Sequence, residues 1–392
     1  MSEYPEEKRN KICFVVTLPL TFRSFFILQM QYLSQHGFDV TAICSYDETI
    51  ERELGDSVNY VPMKIPRGVS LFGSLASICM LKKHFKANRY DIIQYSTPNA
   101  AFCASIAAKQ SRCKIRNYHQ MGLRYLGDSG IKRAILKMLE KTTCKLSTSI
   151  ECVSQSNLML GSKEGLFPES KATVVWNGST GGVDLERFDI NKRENWRKQL
   201  RQEHGYNQND FVFGFVGRIT RDKGINELLE SFFRLNDNSS LFIIGEYEND
   251  RTVDTALWNR AMNSPKVCIH SPSKEIERYY ALIDVLVLPS YREGFGNVVI
   301  EAAAMGTPSI ISNIPGPIDA VIINKTGVVT EPKSVEDLVS AMKEVQKINV
   351  IEMGNAAKEH VKNSFCSKSL CKKILERKLS LIRDSSEKER VF

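Results

Sequence analysis

Two carboxylates and two glycines lie close together in a short stretch that could bind a sugar phosphate. The stretch runs from Glu293 to Glu301 and reads E-G-F-G-N-V-V-I-E. A carboxylate is only an acceptor, so it suits sugar hydroxyls better than phosphate, whereas Gly294 and Gly296 let the backbone approach a ligand closely. Either glutamate alone would equally fit a surface loop or a helix start, where the helix dipole favours it. The combination is more specific and indicates a ligand site.

The elements around this stretch would hold it at the edge of a sheet. Asp284–Leu288 is a short apolar run, which predicts a buried strand, and Pro289 with the two glycines predicts a loop. A helical pattern then begins at Asn297 and is closed by Gly306–Pro308. Open α/β sheets bind ligands beyond the carboxyl ends of their strands, and N–H groups at a helix start attract phosphate. The order of strand, loop and helix therefore predicts a ligand site here.

A second candidate stretch is Phe213–Gly224, which reads F-G-F-V-G-R-I-T-R-D-K-G. The predicted strand ends at Gly217, where the chain must turn sharply, and Arg218 and Lys223 follow. Both should lie on the same rim as Glu293, because each loop follows the carboxyl end of a strand of one sheet. A guanidinium forks onto diphosphate and a lysine acts as a point charge; the alternative is two surface cations at a helix start, where the dipole disfavours them. The spacing is not G-x-G-x-x-G, so it does not support a dinucleotide site.

In the first half of the chain, polar residues follow two predicted strands. Arg116–Leu126 reads R-N-Y-H-Q-M-G-L-R-Y-L, and His119 follows the predicted strand 114–118. The pKa range of histidine suits hydrogen bonding or proton relay, although a single histidine in a loop is more often a polar surface residue. Arg23 follows the first strand and is a weaker candidate for binding an acceptor phosphate.

Positive charge is concentrated in residues 109–145. This segment has ten basic and two acidic residues, so its local charge is +8, equal to that of the whole chain. The predicted helix 131–146 carries a basic stripe at i, i+4 spacing, with an apolar set on the opposite face. Basic and apolar residues together fit an anionic membrane surface. The alternative is a helix packed on its own sheet with solvated lysines. The stripe is Arg133, Lys137, Lys141 and Lys145, and the apolar set is Ile131, Ile135, Met138, Leu139, Thr142 and Leu146.

A length of 392 residues favours two domains. Strands alternate with helices throughout, which predicts parallel sheets covered on both faces, and the apolar pattern lapses between Asn177 and about Asp210. We predict domains at 1–190 and 191–366 and a C-terminal helix at 367–392 that crosses back to the first domain. The predicted strands are 12–17, 38–44, 91–95, 114–118, 149–153, 174–176, 211–216, 241–244, 267–269, 284–288, 309–311 and 327–329. The predicted helices are 22–35, 71–88, 99–110, 131–146, 156–162, 192–204, 225–234, 252–262, 274–282, 297–305, 335–345, 351–363 and 368–383.

Several classes of site and location are not indicated. The ten cysteines include no C-x-x-C pair, so we expect reduced thiols in a cytosolic protein. The chain has no D-x-D and no His/Cys/Asp cluster at metal spacing, so we expect no metal and no cofactor, and nothing indicates a nucleic-acid partner. Glu3, Glu6 and Glu7 before the first apolar run are unlike a signal peptide. The apolar runs 12–20 and 69–81 are too short to span a bilayer, so we expect a soluble protein or one attached only at the membrane surface.

The residues from Glu293 to Pro308, E-G-F-G-N-V-V-I-E-A-A-A-M-G-T-P, resemble the E-x7-E signature of retaining nucleotide-sugar glycosyltransferases of family four. That resemblance implies the GT-B fold, an α/β architecture of two Rossmann-like doubly wound domains facing each other across a cleft, working without a metal. It implies that Arg218 and Lys223 neutralise the leaving nucleoside diphosphate. It also implies that Glu293 holds donor-sugar hydroxyls and Glu301 the nucleotide ribose. The other donor positions implied are Gly217 and the backbone N–H groups of Phe295, Gly296 and Asn297.

Two features of the first half resemble bacterial enzymes that build capsule, O-antigen or related surface polysaccharides. They are L-R-Y-L at 123–126 and N-G-x-x-x-G-V-D at 177–184. The resemblance implies transfer from a nucleoside-diphosphate sugar, a UDP-sugar, to a lipid-linked oligosaccharide by a cytoplasmic enzyme peripheral on the inner face of the cell membrane. It also implies that His119 touches the donor sugar or the acceptor. Relatives often show R-G-L-R where this chain has M-G-L-R, which would pass the basic role to Arg124.

Two alternatives to this function stay open. One is a GT-B nucleotide-sugar epimerase, which would release UDP from a UDP-sugar in water without an acceptor. The other is a non-catalytic partner subunit that keeps the fold without turnover. The intact set of Glu293, Glu301, Arg218 and Lys223 argues against the second alternative.

Overall fold

The computed structural model describes residues 9–68, 71–248 and 253–390. The acidic residues Glu3, Glu6 and Glu7 lie outside these ranges, and so do the first residues of the apolar run 69–81 and of the predicted helix 252–262. The chain divides into two compact units, Met1–Gly181 with Lys368–Phe392, and Gly182–Ser367. The division therefore comes at residue 181, earlier in the chain than the predicted boundary at 190.

The first unit is built on seven strands and eight helices among its described residues. Its strands are β1 (Asn10–Val15), β2 (Phe38–Cys44), β3 (Val58–Pro62), β4 (Ile92–Tyr95), β5 (Ile115–Gln120), β6 (Ser149–Cys152) and β7 (Ala172–Val174). Its helices are α1 (Pro19–Phe25), α2 (Ile27–Gln35), α3 (Ile50–Leu54), α4 (Leu71–Asn88), α5 (Pro98–Gln110), α6 (Gly130–Leu146), α7 (Gln155–Lys163) and the C-terminal helix (Ser367–Arg390).

These strands form one parallel sheet in the order β3-β2-β1-β4-β5-β6-β7. Successive residues of β1 point to opposite faces, so Cys13 and Val15 enter one core and Ile12 and Phe14 the other. The helices α4 to α7 cover the first face, and α1 to α3 with the C-terminal helix cover the second. Two covered faces explain why the strands read as continuous apolar runs.

The second unit is a parallel sheet of six strands with helices on both faces. Its strands are β8 (Val212–Val216), β9 (Ser240–Ile244), β10 (Val267–His270), β11 (Val285–Leu288), β12 (Ser309–Ser312) and β13 (Gly327–Thr330), in the order β10-β9-β8-β11-β12-β13. Its helices are α8 (Arg193–Glu203), α9 (Ile225–Leu235), α10 (Thr255–Met262), α11 (Ile276–Leu282), α12 (Asn297–Ala304), α13 (Val335–Val345) and α14 (Val350–Ser364). The C-terminal helix is α15 in chain order.

The predicted elements are confirmed within a few residues, with two differences. The helix α3, which has only five residues, and the strand β3 were not predicted. β3 is an edge strand with a mixed burial pattern, from Val58 to Pro62, and it shows no continuous apolar run. The predicted helix 22–35 is two helices separated at Phe26, whose φ of −121° departs from the helical value. Phe26 is fully buried, and its ring packs edge-on against Phe14 and Phe22. Among the described residues no helix is long and apolar enough to cross a membrane.

A buried carboxyl group in the first unit makes stability depend on pH. Glu140 of α6 is 6% exposed and accepts hydrogen bonds from Tyr118 Oη at 2.8 Å and Gln120 Nε2 at 2.7 Å. Burial raises the pKa of Glu140 to about 7, although both hydrogen bonds act in the opposite direction. The folded state therefore holds a proton that the unfolded state releases at lower pH, and stability must fall as pH rises through about 7.

We expect Glu140→Gln to remove this pH dependence, because the amide oxygen can accept the same hydrogen bonds without ionising. Relative to the variant, the wild type should lose up to about 3 kcal/mol of unfolding free energy as pH rises from the ordinary carboxyl range to above 7. Urea unfolding of both proteins at pH 5 and pH 8 measures the difference. Parallel pH profiles for the two proteins would contradict the assignment.

Candidate active site

The carboxyl edge of the second sheet brings three loops together. β8 pairs with β11, and β11 pairs with β12, so the loops that follow these strands leave the sheet side by side. The predicted adjacency of the loops at 217–224 and 289–296 is confirmed by this strand order. The third loop approaches them at Gly316, where an added Cβ would lie 2.8 Å from the carbonyl oxygen of Gly294.

An ion pair joins the first two loops. Lys223 Nζ lies 2.5 Å from Glu293 Oε1, and the same oxygen accepts a hydrogen bond from Ser290 Oγ at 2.9 Å. The side chains of Lys223 and Glu293 are 18% and 13% exposed, so the pair is partly shielded from water. A lysine has three donors, and one bond to Glu293 leaves capacity for a phosphate oxygen. The carboxylate oxygen held in this way is a fixed acceptor beside a fixed cation.

Further contacts fix the same two loops. Arg292 donates to Asp222 Oδ2 at 2.7 Å, and the backbone N–H of Tyr291 donates to the Asp222 carbonyl at 2.9 Å. The Tyr291 hydroxyl donates to Glu227 at 2.6 Å. Gly224 has a φ of 74°, and an added Cβ would lie 2.0 Å from the Pro289 carbonyl oxygen, so only glycine allows this approach. These contacts within the protein hold the two loops together.

The N-terminus of α12 faces this edge. Its N-cap is Gly296, with a φ of 85° and no side-chain capping bond. Phe295 is buried, 4% exposed, with its ring packed against Phe365. The helix begins at Asn297, as predicted, so the peptide groups of residues 295–297 start the helix beside Glu293. A helix start of this kind favours an anion or a sugar oxygen.

Arg218 lies at the same edge but has a different partner. Its Nη1 donates to Glu248 at 2.9 and 3.0 Å, and both side chains are about half exposed. Glu248 follows β9, the neighbour of β8 on the other side from β11. The structure therefore places Lys223 and Glu293 in contact, whereas Arg218 is paired separately.

Glu301 lies one turn inside α12. Its Oε2 accepts a hydrogen bond from the Tyr280 hydroxyl of α11 at 2.8 Å. Burial raises the pKa of Glu301, although the bond from Tyr280 acts in the opposite direction. Glu301 is therefore held in one orientation, and its carboxyl group can accept a hydroxyl donor such as a ribose.

His119 does not lie in a loop, which corrects its predicted position. It belongs to β5, which extends to Gln120, and it is 7% exposed. Its Nε2 lies 3.3 Å from Thr180 Oγ1, and its Nδ1 lies 3.8 Å from Glu151 Oε2. Burial lowers the pKa of His119, although Glu151 acts in the opposite direction. The side chain is thus a neutral, buried hydrogen-bonding group.

The two arginines that were predicted to bind the acceptor substrate differ in how fully acidic side chains occupy them. Arg23 donates to Asp47 and Glu53, each at 2.6 Å, so two carboxylates occupy its guanidinium. Arg124 is 55% exposed at its side chain and has Asp128 at 4.0 Å. Arg124 is therefore the more available cation of the two.

Two of the four residues in the predicted basic stripe on α6 lie beside an acidic side chain. Lys137 forms an ion pair with Glu164, and Arg133 lies 3.9 Å from the same carboxylate. Lys141 and Lys145 are exposed. The apolar residues expected on the opposite face are only partly packed, because Ile131, Ile135 and Met138 are 81%, 41% and 61% exposed. The packed face of α6 instead carries Leu136, Glu140, Thr143 and Cys144.

Four residues of this edge were not identified from the sequence. Ser290 and Glu248 could have been found, because Ser290 lies in the loop after β11 and Glu248 lies in the loop after β9, the strand next to β8. Arg292 lies inside the quoted loop, but nothing in the sequence names Asp222 as its partner. Tyr280 meets Glu301 through packing of α11 against α12, which no spacing rule indicates. Among the described residues, no group of three or more His, Cys, Asp or Glu side chains is placed to hold a metal ion.

Two family models match the chain. Residues 27–187 match "Glycosyltransferase Family 4", and residues 197–363 match "Glycosyl transferases group 1". The capsular polysaccharide biosynthesis glycosyltransferase CapM of Staphylococcus aureus is 28% identical over 92% of this chain and 94% of its own length. An Escherichia coli protein named UDP-Gal:alpha-D-GlcNAc-diphosphoundecaprenol alpha-1,3-galactosyltransferase is 27% identical over 91% of this chain and 93% of its own length.

Solved structures of glycosyltransferases share the fold. HepE of Anabaena in complex with UDP has a TM-score of 0.77 at 16% identity, over 95% of this chain and all of its own. Sucrose-phosphate synthase from Thermosynechococcus elongatus has a TM-score of 0.78 at 16% identity, over 96% of this chain and all of its own. Two parallel sheets with helices on both faces agree with this likeness. The chain belongs to the GT-B glycosyltransferases of family four.

Proposed function

We propose that the protein is a retaining transferase that moves a sugar from a UDP-sugar to a lipid-linked oligosaccharide in bacterial surface polysaccharide biosynthesis. The observation that carries this proposal is the contact of Lys223 with Glu293 at 2.5 Å, beside the start of α12. A fixed cation, a fixed acceptor and helix N–H groups at one sheet edge match the diphosphate and hydroxyls of a nucleotide sugar.

The donor roles follow from the chemistry of each group. Lys223 and Arg218 neutralise the leaving diphosphate, for which Arg218 must exchange Glu248 for phosphate. Glu293 accepts from hydroxyls of the donor sugar, and Glu301 accepts from the ribose. Gly217 has no side chain, so the backbone can approach the donor closely there. The backbone N–H groups of Phe295, Gly296 and Asn297 donate hydrogen bonds to the sugar and the phosphate. The structure of HepE in complex with UDP-glucose supports UDP as the nucleotide.

We propose that the anomeric configuration is retained because the acceptor hydroxyl attacks the same face of the donor sugar from which the diphosphate leaves. Glu293 is a poor nucleophile, because its Oε1 is already held by an ammonium and a hydroxyl. The leaving phosphate would then take the proton of the acceptor hydroxyl. The chain has no D-x-D motif, so we propose that Lys223, Arg218 and backbone N–H groups stabilise the developing charge without a metal or other cofactor.

The acceptor side is assigned to the first unit. The Escherichia coli relative and one from Campylobacter jejuni are named for diphosphoundecaprenol-linked acceptors. Arg124 is the better placed cation for an acceptor phosphate, whereas Arg23 would first have to leave its carboxylates. His119 enters as a neutral hydrogen-bonding group rather than as an exposed base.

We also propose a cytoplasmic enzyme that lies on the anionic inner face of the cell membrane. A lipid-linked acceptor stays in the bilayer, so the enzyme must approach it. Lys141 and Lys145 are exposed for electrostatic contact, and Arg133 and Lys137 add positive charge that Glu164 partly offsets. Each basic residue near such a surface adds roughly 1 kcal/mol of attraction.

A panel of nucleotide sugars with membrane extract as the acceptor source tests the function. We expect a UDP-sugar to yield a product larger than the acceptor by one sugar, read by mass, with equal yield in the presence of EDTA. Donors with other nucleotides serve as controls. Transfer from none of the UDP-sugars would contradict the proposed donor. Loss of activity in EDTA that Mg²⁺ or Mn²⁺ restores would contradict the metal-free account. An epimerase would instead release UDP without any acceptor.

A further inference from the structure

Three cations at the carboxyl edge of the second sheet each have a carboxylate partner. The three pairs are Lys223 with Glu293, Arg292 with Asp222, and Arg218 with Glu248. Their carboxylate side chains are 13%, 29% and 43% exposed in that order. The third pair is therefore the most open to water, and it costs the least to separate, since exposed ion pairs contribute little.

The loop after β9 is fastened to the loop after β8. The N–H of Gly217 donates to the Ile244 carbonyl at 3.1 Å, and the N–H of Ile219 donates to the Glu246 carbonyl at 2.8 Å. An added Cβ at Gly245 would lie 1.8 Å from the carbonyl oxygen of Gly217, so only glycine lets the two backbones approach this closely. The two loops therefore keep a fixed spacing where they leave the sheet.

Glu248 comes two residues after this fastened stretch and contacts the guanidinium of Arg218. Tyr247, just before it, stacks on Trp258 with ring centroids 5.1 Å apart, and Trp258 is buried. Both carboxylate oxygens of Glu248 accept from Arg218 Nη1, at 2.9 and 3.0 Å. A guanidinium uses the same N–H donors for a carboxylate and for a phosphate. Glu248 thus occupies a donor that a diphosphate needs.

The guanidinium of Arg218 also lies near the other two carboxylates. Burial lowers the pKa of Arg218, but Glu248, and after it Asp222 and Glu293, outweigh burial and raise the pKa above its usual value. A diphosphate must therefore approach a cation that already has anionic neighbours, and repulsion from them opposes its binding. Glu248 is the neighbour that moves away most easily, because its side chain is the most exposed of the three.

We propose that Glu248 competes with the diphosphate of the donor for Arg218, which lowers the affinity of the site for UDP and speeds the release of UDP after transfer. In the free protein the carboxylate occupies the guanidinium, and a bound diphosphate displaces it. Its return to Arg218 helps UDP to leave. The inference rests on the proposed UDP-sugar donor, and it adds a residue that sets the affinity for the nucleotide.

Titration of UDP into the full-length protein without acceptor, by isothermal calorimetry, tests this competition. Glu248→Gln should tighten UDP binding about fivefold, which corresponds to about 1 kcal/mol, the upper range for an exposed ion pair. Dissociation of UDP, followed by stopped flow, should slow. Glu248→Ala should tighten binding as well. Alanine offers phosphate no side-chain donor, so a new hydrogen bond from glutamine would not explain a gain that both variants share.

Glu230→Gln is the matched control, because Glu230 pairs with Arg234 on the surface of the same unit and its side chain is 40% exposed. It should leave the affinity for UDP unchanged. In an Arg218→Ala background the gain from Glu248→Gln should shrink, since the group for which the carboxylate competes is gone. An undiminished gain in that background would overturn the proposal.

The same titrations separate the role of Glu248 from the choice of nucleotide. If UDP binds the wild type and neither Glu248 variant binds it more tightly, the role of Glu248 is wrong and the proposed donor stands. Weaker binding by both variants would show that the carboxylate positions Arg218 for the diphosphate, which also overturns the competition. If UDP binds neither the wild type nor the variants, the proposed nucleotide is wrong, and the role of Glu248 falls with it.

Discussion

Replacing Lys223 with alanine is expected to lower turnover by on the order of 10²–10³ with the fold retained, if the ammonium acts like one donor of an oxyanion hole. The change removes positive charge where the leaving diphosphate would develop negative charge, and it also releases Glu293 from its contact at 2.5 Å. Arg218→Ala should cost a similar factor, because the proposed role of its guanidinium is to bind the same diphosphate.

Steady-state rates with a UDP-sugar and acceptor measure both changes, and Arg234→Ala is a suitable control. Arg234 is an exposed cation of the same unit that pairs with Glu230 and Glu336 on the surface. It should keep full activity. A double variant of Lys223 and Glu293 should lose less than the product of the two single effects, since residues in contact are not additive. Near-normal activity in both Lys223→Ala and Arg218→Ala would contradict the assignment of this edge.

Replacing Lys378 with methionine is expected to destabilise the first unit by about 3–5 kcal/mol. Lys378 of α15 is 1% exposed, and its Nζ lies 2.6 and 2.8 Å from the two oxygens of Glu151, itself 2% exposed. Burial alone would raise the pKa of Glu151, but Lys378 and His119 together outweigh burial and hold the pKa below its usual value. Without Lys378 the carboxylate would be buried with weaker compensation.

Urea unfolding of the single and double variants tests this buried pair. Lys378→Met with Glu151→Gln should recover part of the lost stability, because no uncompensated charge remains. Lys373→Met is the matched control, since Lys373 is an exposed cation of the same helix paired with Glu376. It should change the free energy of unfolding by less than about 1 kcal/mol. An equally small loss for Lys378→Met would show that the pair does not hold α15 to the sheet.

Most of the fold was predictable because buried parallel strands read as apolar runs. All six strands of the second sheet were predicted, and each is a short and mostly apolar run. β3 was not, because an edge strand buries only part of its surface and Val58–Pro62 mixes polar and apolar residues. The strand containing His119 was predicted to end two residues too early, at Tyr118, which placed a buried side chain in a loop.

The candidate site was predictable as far as sheet order determines it. Lys223 and Glu293 follow neighbouring strands, so their proximity could be inferred before any contact was known. The partner of Arg218 depends on the path of the chain after β9, and the Tyr280–Glu301 hydrogen bond depends on how two helices pack. Contacts of this kind come from tertiary packing rather than from spacing in the sequence.

The proposed transfer reaction is tested by following UDP release with and without a lipid-linked acceptor and determining the anomeric configuration of the new linkage by NMR. We expect substantial UDP release only when the acceptor is present, and a linkage that keeps the configuration of the donor. Rapid release without acceptor, or a linkage of inverted configuration, would contradict it.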